Sequence, residues 1–192
     1  MKRGLYAVTP EQVDLHKVRR ALDGGIALLQ YRAKPPRRDD AARIVELARA
    51  YDVPVIVNDA VELARASGAA GVHLGRDDAA VAAAKKDFTG IVGASCYDDI
   101  GRARAAVAAG ADYVAFGSVF ASATKPLAVR APLSLFRQAR PLGVPLAAIG
   151  GITLENAPQL VEAGADLLAV ITDLFDAPDI TVRARSYARL FQ

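Results

Sequence analysis

One amide and two basic side chains alternate along a short segment, Gln30-Tyr31-Arg32-Ala33-Lys34. The apolar residues 25–29 before it predict a buried strand, and successive side chains of a strand point to opposite faces. If the strand continues through the segment, Gln30, Arg32 and Lys34 point the same way. Buried cations are costly unless they are paired, so this arrangement favours an anionic ligand such as a diphosphate. The alternative is a strand end that frays into a basic surface loop, and the segment alone does not decide between them.

Two carboxylates follow other apolar strands. Asn58 and Asp59 come directly after the run 53–57, and Asp78 follows the run 71–75. Mg²⁺ prefers oxygen ligands and commonly uses one or two carboxylates together with substrate phosphates. Asp59 and Asp78, near the two cations, therefore predict a metal–diphosphate site. For Asp78 alone, the sequence favours the alternative that Asp77 or Asp78 is simply the N-cap of the following helix.

A Gly-Gly turn and a long loop complete the candidate site. Gly150-Gly151 ends an apolar run, and two glycines let backbone N–H groups approach a phosphate. The loop 120–126 is basic and rich in small residues, as a mobile lid is, although a plain surface loop has the same composition. His73 stands near a strand end and is interpreted as a hydrogen-bonded interior residue without a catalytic role.

Composition excludes several classes of protein. The 192 residues are 53% hydrophobic and carry a formal net charge of +3, without Trp. We therefore expect one domain over residues 1–192 that binds no nucleic acid. With one cysteine, Cys96, an intrachain disulfide is impossible, and no segment reaches the roughly 18 apolar residues of a membrane span. A cytoplasmic location is expected, and the sequence leaves homo-oligomerisation open.

A repeated pattern predicts the fold. Around Gly24, Gly68, Gly110 and Gly164 a helical pattern ends, the glycine is expected to supply a left-handed C-cap, and an apolar strand follows. With the apolar runs between them, eight strands are predicted, beginning near residues 5, 26, 54, 70, 91, 112, 144 and 166. Strands that are apolar throughout indicate a parallel sheet, and eight alternating units predict an α/β fold, a single compact (β/α)₈ TIM barrel. An open doubly wound sheet is the alternative, but the first strand lacks a dinucleotide fingerprint. In a barrel, the polar residues above share the C-terminal end of the strands.

The ordered set of motifs resembles the thiamine-phosphate synthase family over nearly the whole chain. The matching features are Gln-x-Arg-x-Lys at 30–34, Asn58-Asp59, Gly-Val-His-Leu-Gly-x-x-Asp at 71–78, Ser95, Thr124-Lys125 and Gly-Gly-Ile-Thr at 150–153. The resemblance implies a transferase that joins 4-amino-2-methyl-5-hydroxymethylpyrimidine diphosphate to a thiazole phosphate, or to its carboxylate. The products would be thiamine phosphate and diphosphate.

The resemblance also implies roles for individual residues. Arg32, Lys34, Ser95 and Lys125 would be catalytic, and Asp59 and Asp78 would ligate Mg²⁺. The pyrimidine diphosphate would be bound by Gln30, Arg32, Lys34, Asn58, Ser95 and Lys125. The thiazole phosphate would be contacted by Ser122, Ala123, Thr124, Gly151, Ile171 and Thr172.

The chain departs from the family pattern at three positions, and these departures bear on substrate detail more than on the reaction. Arg76 stands where the family commonly has Gln, Ser122 replaces a Thr, and Pro10 stands where an acidic residue is common. A thiazole tautomerase shares the fold but tends to lose the metal carboxylates and to carry a His after the sixth strand, where this chain has Ser118. A non-catalytic protein that binds thiamine phosphate is the other alternative.

Overall fold

Eight parallel strands close into a barrel in which each strand pairs with its neighbours in the chain and β8 pairs with β1. The computed structural model describes residues 1–75, 78–121 and 129–192, except the side chains of residues 78 and 79. The strands are β1 Gly4–Val8, β2 Leu28–Tyr31, β3 Val55–Asn58, β4 Gly71–Leu74, β5 Ile91–Tyr97, β6 Tyr113–Phe116, β7 Leu146–Ile149 and β8 Leu167–Val170. The predicted (β/α)₈ TIM barrel is confirmed.

Helices follow the strands and cover the outside of the barrel. They are α1 Leu15–Asp23, α2 Arg38–Arg49, α3 Val61–Ser67, α4 Asp78–Asp87, α5 Ile100–Ala108, α6 Ser134–Ala139, α7 Ala157–Ala163, α8 Thr172–Phe175 and α9 Ile180–Arg189. A short 3₁₀ helix, Arg140–Leu142, follows α6. No helix in the described ranges combines the length and the apolar character that crossing a bilayer requires.

Aspartates start three of the helices. The carboxylate of Asp14 accepts hydrogen bonds from the first-turn amides of α1, and Asp99 and Asp179 do the same for α5 and α9. A side-chain acceptor at this position satisfies amides that have no partner within the helix. These three caps therefore define where the chain leaves each preceding loop.

The apolar residues form two layers. Between the strands and the helices lies a large core to which all eight strands contribute. Inside the barrel a smaller cluster includes Tyr6, Leu28, Ile56, Tyr113 and Leu167. Because side chains alternate along each strand, every second residue of a strand belongs to the interior.

The repeated Gly-Ala-Asp segments hold neighbouring strands in register. Asp112 Oδ2 accepts a hydrogen bond from Val92 N at 2.7 Å, and Asp166 Oδ2 accepts one from Leu146 N at 3.0 Å. In each case the aspartate precedes its own strand and binds the amide of the previous strand. The internal repeat therefore stabilises strand pairing in the same way at two places at the N-terminal end of the barrel.

The prediction for Gly24 was wrong, whereas those for the other glycines were correct. Gly68, Gly110 and Gly164 have φ of 69°, 99° and 108°, but Gly24 has φ −82° and the left-handed residue is Gly25. Gly24 is needed for another reason, since a Cβ there would collide with Ala184 on α9. The close approach of a helix that lies far away in the chain thus requires a glycine at this position.

Candidate active site

Gln30 lies inside the barrel, but the segment after it does not continue as a strand. β2 ends at Tyr31, so the alternation predicted to align Gln30 with Arg32 and Lys34 does not apply beyond this point. Gln30 is 4% exposed, and its Nε2 donates a hydrogen bond to Tyr6 Oη at 2.6 Å. The amide therefore belongs to the barrel interior, and the two cations belong to the loop above it.

The backbone of Arg32 is fixed by Thr9, the residue that follows β1. Thr9 is fully buried, and its Oγ1 accepts a hydrogen bond from Arg32 N at 2.9 Å and donates one to Arg32 O at 3.1 Å. The Arg32 side chain is 22% exposed, and its Nη2 lies 3.8 Å from Glu11 Oε1. Lys34 is exposed. The structure thus supplies one positioned guanidinium and one ammonium group at the mouth of the barrel, the end at which the C-termini of the strands meet.

Asn58 and Asp59 extend the mouth across β3. Asn58 Nδ2 donates a hydrogen bond to Asp59 Oδ2 at 2.7 Å, and Asp59 N donates one to His73 O at 2.8 Å. Asp59 has φ 59°, which aspartate tolerates better than most residues, and its side chain is exposed. A Cβ on Gly75 would lie 3.5 Å from Asp59 Oδ1, an ordinary van der Waals distance, so the carboxylate lies beside the residue that follows β4.

The donor set at Asp59 fits Mg²⁺, which takes hard oxygen ligands. α4 begins at Asp78 after the neighbouring strand β4, but the Asp78 side chain lies outside the described residues. Within the described ranges, no three His, Cys, Asp or Glu side chains are grouped closely enough to hold a metal ion. A protein site with one or two carboxylates is what a metal needs when substrate phosphates supply its other ligands.

A continuous chain of hydrogen bonds crosses the barrel interior below the mouth. It runs from Gln30 to Tyr6, from Tyr6 Oη to Tyr113 Oη at 2.7 Å, and from Tyr113 Oη to His73 Nδ1 at 2.8 Å. It ends where His73 Nε2 lies 2.9 Å from Ser95 Oγ. Five strands contribute one residue each, and Ser95 is the half-buried member on the mouth side.

Burial keeps this network uncharged. Desolvation lowers the pKa of His73 to about 4, an effect that the nearby Asp59 carboxylate opposes. Desolvation also raises the pKa of Tyr6 and of Tyr113 above the usual value for a phenol. The imidazole is therefore neutral and both phenols are protonated near pH 7. The interpretation of His73 as a hydrogen-bonded interior residue is confirmed.

The other half of the mouth is formed by the turns after β7 and β8. Gly150 and Gly151 have φ of 105° and 62°, and a Cβ on either would collide with the loop that follows β6. Asn156 fixes the turn, because its Nδ2 donates a hydrogen bond to Gly151 O at 2.9 Å. Ile171 precedes α8, whose first residue is the exposed Thr172. Gly151, Ile171 and Thr172 thus lie at the end of the barrel that also carries Arg32 and Asp59.

Several predicted site residues lie outside the described part of the chain. They are Ser122, Ala123, Thr124 and Lys125 of the expected lid, and Arg76 beside the metal region.

Sequence reasoning did not assign roles to Tyr6, Tyr113 or Thr9. Tyr6 and Tyr113 lie within mostly apolar strands, and Thr9 directly follows one. The sequence did contain a signal for the two tyrosines. Side chains alternate between the two faces of a strand, and this alternation places a hydroxyl at inward-facing positions of β1 and β6.

A parallel (β/α)₈ barrel with charged and polar groups gathered at the C-terminal ends of its strands is a TIM-barrel enzyme. Residues 5–174 match the family model described as thiamine monophosphate synthase. The chain belongs to this family.

Named relatives agree along nearly the full length. A thiamine-phosphate synthase of Aromatoleum aromaticum is 56% identical over 98% of this chain and 96% of its own length. One from Azoarcus sp. is also 56% identical, over 98% of this chain and 97% of its own. Among solved structures, a thiamine phosphate pyrophosphorylase from Pyrococcus furiosus is 32% identical, with a TM-score of 0.88 over 98% of this chain and 95% of its own.

Proposed function

We propose that the protein is a thiamine-phosphate synthase that condenses 4-amino-2-methyl-5-hydroxymethylpyrimidine diphosphate with a thiazole phosphate. The bond between the pyrimidine methylene carbon and the diphosphate oxygen breaks, and that oxygen keeps the electron pair. A bond forms between the same carbon and the thiazole nitrogen, so that thiamine phosphate and diphosphate leave. Family membership and relatives that are 56% identical over nearly the full chain support this reaction.

The observation that carries the proposal is a charged mouth above an uncharged interior. Arg32 and Lys34 follow β2, Asp59 follows the neighbouring β3, and the titratable groups below them are neutral near pH 7. Diphosphate departure needs stabilisation of negative charge, and it needs no proton to be removed from a carbon or a water molecule. The arrangement therefore suits a reaction in which an anion leaves without a general base.

The two halves of the mouth would bind different parts of the substrates. Arg32 and Lys34, together with Lys125, would bind the diphosphate, and Asn58 would hold the Asp59 carboxylate in place through its 2.7 Å hydrogen bond. Asp59 and Asp78 would hold Mg²⁺, which when bound neutralises charge on the leaving diphosphate. The thiazole phosphate would bind opposite, at Gly151, Ile171 and Thr172 and at residues 122–124, because the loops after strands seven and eight often form the phosphate site of such barrels.

We also propose the context in which the protein acts. It would be a single domain over residues 1–192, working in the cytoplasm without binding nucleic acid. A net charge of +3 without Trp and a single cysteine support this context.

The test is diphosphate release from purified protein that is given both substrates, with Mg²⁺ or with EDTA. Release with Mg²⁺, accompanied by thiamine phosphate, is the expected result. Asp59→Asn should lower kcat/KM by about 100-fold or more, because a charge that stabilises the departing anion is lost.

Asp52→Asn is a matched control for Asp59→Asn. Asp52 precedes the same strand, β3, and is also exposed, with φ 55° against 59° for Asp59. Asn adopts this backbone conformation readily, so both substitutions change charge at equal backbone cost, at opposite ends of the barrel. Activity of Asp52→Asn should match that of the unmodified protein.

Other results would contradict the proposal. Absence of diphosphate release in Mg²⁺ would reject the synthase reaction. Isomerisation of the thiazole carboxylate alone would then identify a tautomerase, and stable binding of thiamine phosphate without turnover would identify a binding protein.

A further inference from the structure

The hydrogen-bond chain inside the barrel has a direction that follows from its first member. The amide nitrogen Nε2 of Gln30 carries only hydrogens, so Tyr6 Oη must accept the bond between them, which is 2.6 Å long. Tyr6 keeps one hydroxyl hydrogen of its own. Its other polar neighbour in the described residues is Tyr113 Oη at 2.7 Å, and Tyr6 therefore donates to Tyr113.

The same reasoning fixes the tautomer of His73. Tyr113 accepts from Tyr6, so its own hydrogen is donated to His73 Nδ1 at 2.8 Å. A neutral imidazole that accepts at one nitrogen carries its hydrogen on the other. His73 Nε2 therefore donates to Ser95 Oγ at 2.9 Å. The ring of His73 also stacks on that of Tyr113, with centroids 5.5 Å apart, which holds the imidazole in the orientation that the chain requires.

We infer that the buried chain from Gln30 through Tyr6, Tyr113 and His73 forces the Ser95 hydroxyl to act as a hydrogen-bond donor toward the barrel mouth. Because Ser95 Oγ accepts from His73, its hydroxyl hydrogen is left for another acceptor. An anionic oxygen of a diphosphate at the mouth is the acceptor that gains most from such a donor. Tyr113 and His73 are thus positioning residues that act through Ser95. This last step rests on the proposed function, whereas the direction of the chain does not.

The direction is measurable without any substrate. The protein contains two histidines, His16 and His73. A His16→Gln variant therefore leaves a single imidazole to observe after ¹⁵N-histidine labelling. The expected ¹⁵N spectrum at pH 7.5 shows a pyridine-type Nδ1 and a pyrrole-type, protonated Nε2. Protonation at Nδ1 instead would mean that the hydrogen bonds are donated in the opposite direction, from Ser95 toward Gln30. This result would overturn the inference.

Two equivalent substitutions test whether the hydrogen-bond chain sets the tautomer of His73. Tyr6 and Tyr113 are 1% and 0% exposed, and Tyr→Phe at either removes one buried hydroxyl and keeps the ring. After Tyr6→Phe, Tyr113 no longer accepts a hydrogen from Tyr6, so its own hydrogen is not committed to His73 and both tautomers should be populated. After Tyr113→Phe, nothing holds Nδ1 as an acceptor, and its signal should move toward the average of the two tautomers.

Binding of inorganic diphosphate in the presence of Mg²⁺ provides the functional readout. Ser95→Ala should weaken this binding by about 10- to 100-fold, the effect of losing a hydrogen bond to a charged group. Tyr113→Phe and Tyr6→Phe should each weaken it by about twofold, because only about half of the population then presents the donor. Unchanged diphosphate binding together with an unchanged His73 tautomer in both Tyr→Phe variants would reject the inference.

The two proposals fail in different ways. Correct tautomers without turnover of the two substrates would reject the proposed synthase reaction and leave the direction of the chain intact. Turnover with His73 protonated at Nδ1 would do the reverse. If Tyr113→Phe does not fold, the tautomer of His73 in the otherwise unmodified protein still decides the question.

Discussion

The neutral imidazole of His73 should make the stability of the barrel depend on pH in a defined window. His73 is 8% exposed, and burial lowers its pKa from 6.5 to about 4. In the unfolded chain the same group titrates near its ordinary value. Between these two values the unfolded state binds a proton that the folded state does not, and protonation therefore favours unfolding as the pH falls.

The size of the effect follows from the pKa difference. One pKa unit corresponds to about 1.4 kcal/mol, so a depression of this size makes the folded state about 3 kcal/mol less stable at pH 4 than above pH 6.5. Above pH 6.5 the imidazole is neutral in both states, and its contribution to the pH dependence is zero. The stabilisation is present there in full and is lost as the pH falls through the folded pKa.

The assay is urea unfolding at several values between about pH 8 and pH 4, applied to the unmodified protein and to His73→Asn. Carboxylates also titrate in this range, but they do so in both proteins, so the difference between the two curves isolates His73. The difference should change by about 3 kcal/mol across the window, with the unmodified protein losing more. His16→Gln, at an exposed position of α1, is the control and should reproduce the unmodified curve. Parallel curves for the unmodified protein and His73→Asn would refute the reasoning.

Two further substitutions test the packing that supports the site. Gly93→Ala should cost about 3 kcal/mol in unfolding free energy, because its Cβ would overlap the buried ring of Tyr113; unchanged urea unfolding would contradict this contact. Asp112→Ala should cost about 2 kcal/mol, because it leaves the buried amide of Val92 without its 2.7 Å acceptor. Asp112→Asn keeps an acceptor oxygen and should cost clearly less in the same measurement, and equal losses would mean that the charge, rather than the hydrogen bond to Val92, matters.

The architecture was predictable because the local signals agree with the global fold. Mostly apolar strands occur where both faces are covered, and a helix follows each of them. Predicted strand starts near residues 91 and 112 compare with β5 at Ile91 and β6 at Tyr113. At Gly24, where the predicted left-handed conformation is absent, a glycine is required instead by a contact with Ala184, which lies 160 positions further along the chain. Local pattern carries no information on such contacts.

The mouth of the barrel was predictable in outline, since residues that follow parallel strands must share one end of the sheet. Its details were not. The period of two applies only while a strand lasts, and β2 ends at Tyr31, so the orientation of Arg32 depends on Thr9 rather than on alternation. Glu11 approaches Arg32 from the loop after β1, and nothing in the sequence near either residue indicates this pairing.

The polar residues inside the barrel are explained better by a role in function than by a role in stability. The inward positions of β7 and β8 hold Ala147, Leu167 and Ala169, so apolar side chains fill that half of the barrel without difficulty. A buried polar group is costly unless each of its hydrogen bonds is made, and exchanging a whole bonded pair for apolar groups is often neutral for stability. A network of five polar residues is therefore not needed to close the barrel. It is explained if its last member, Ser95, must present a hydroxyl of fixed direction to a ligand, and this explanation also accounts for the absence of a side chain at Gly93, which leaves space for Tyr113.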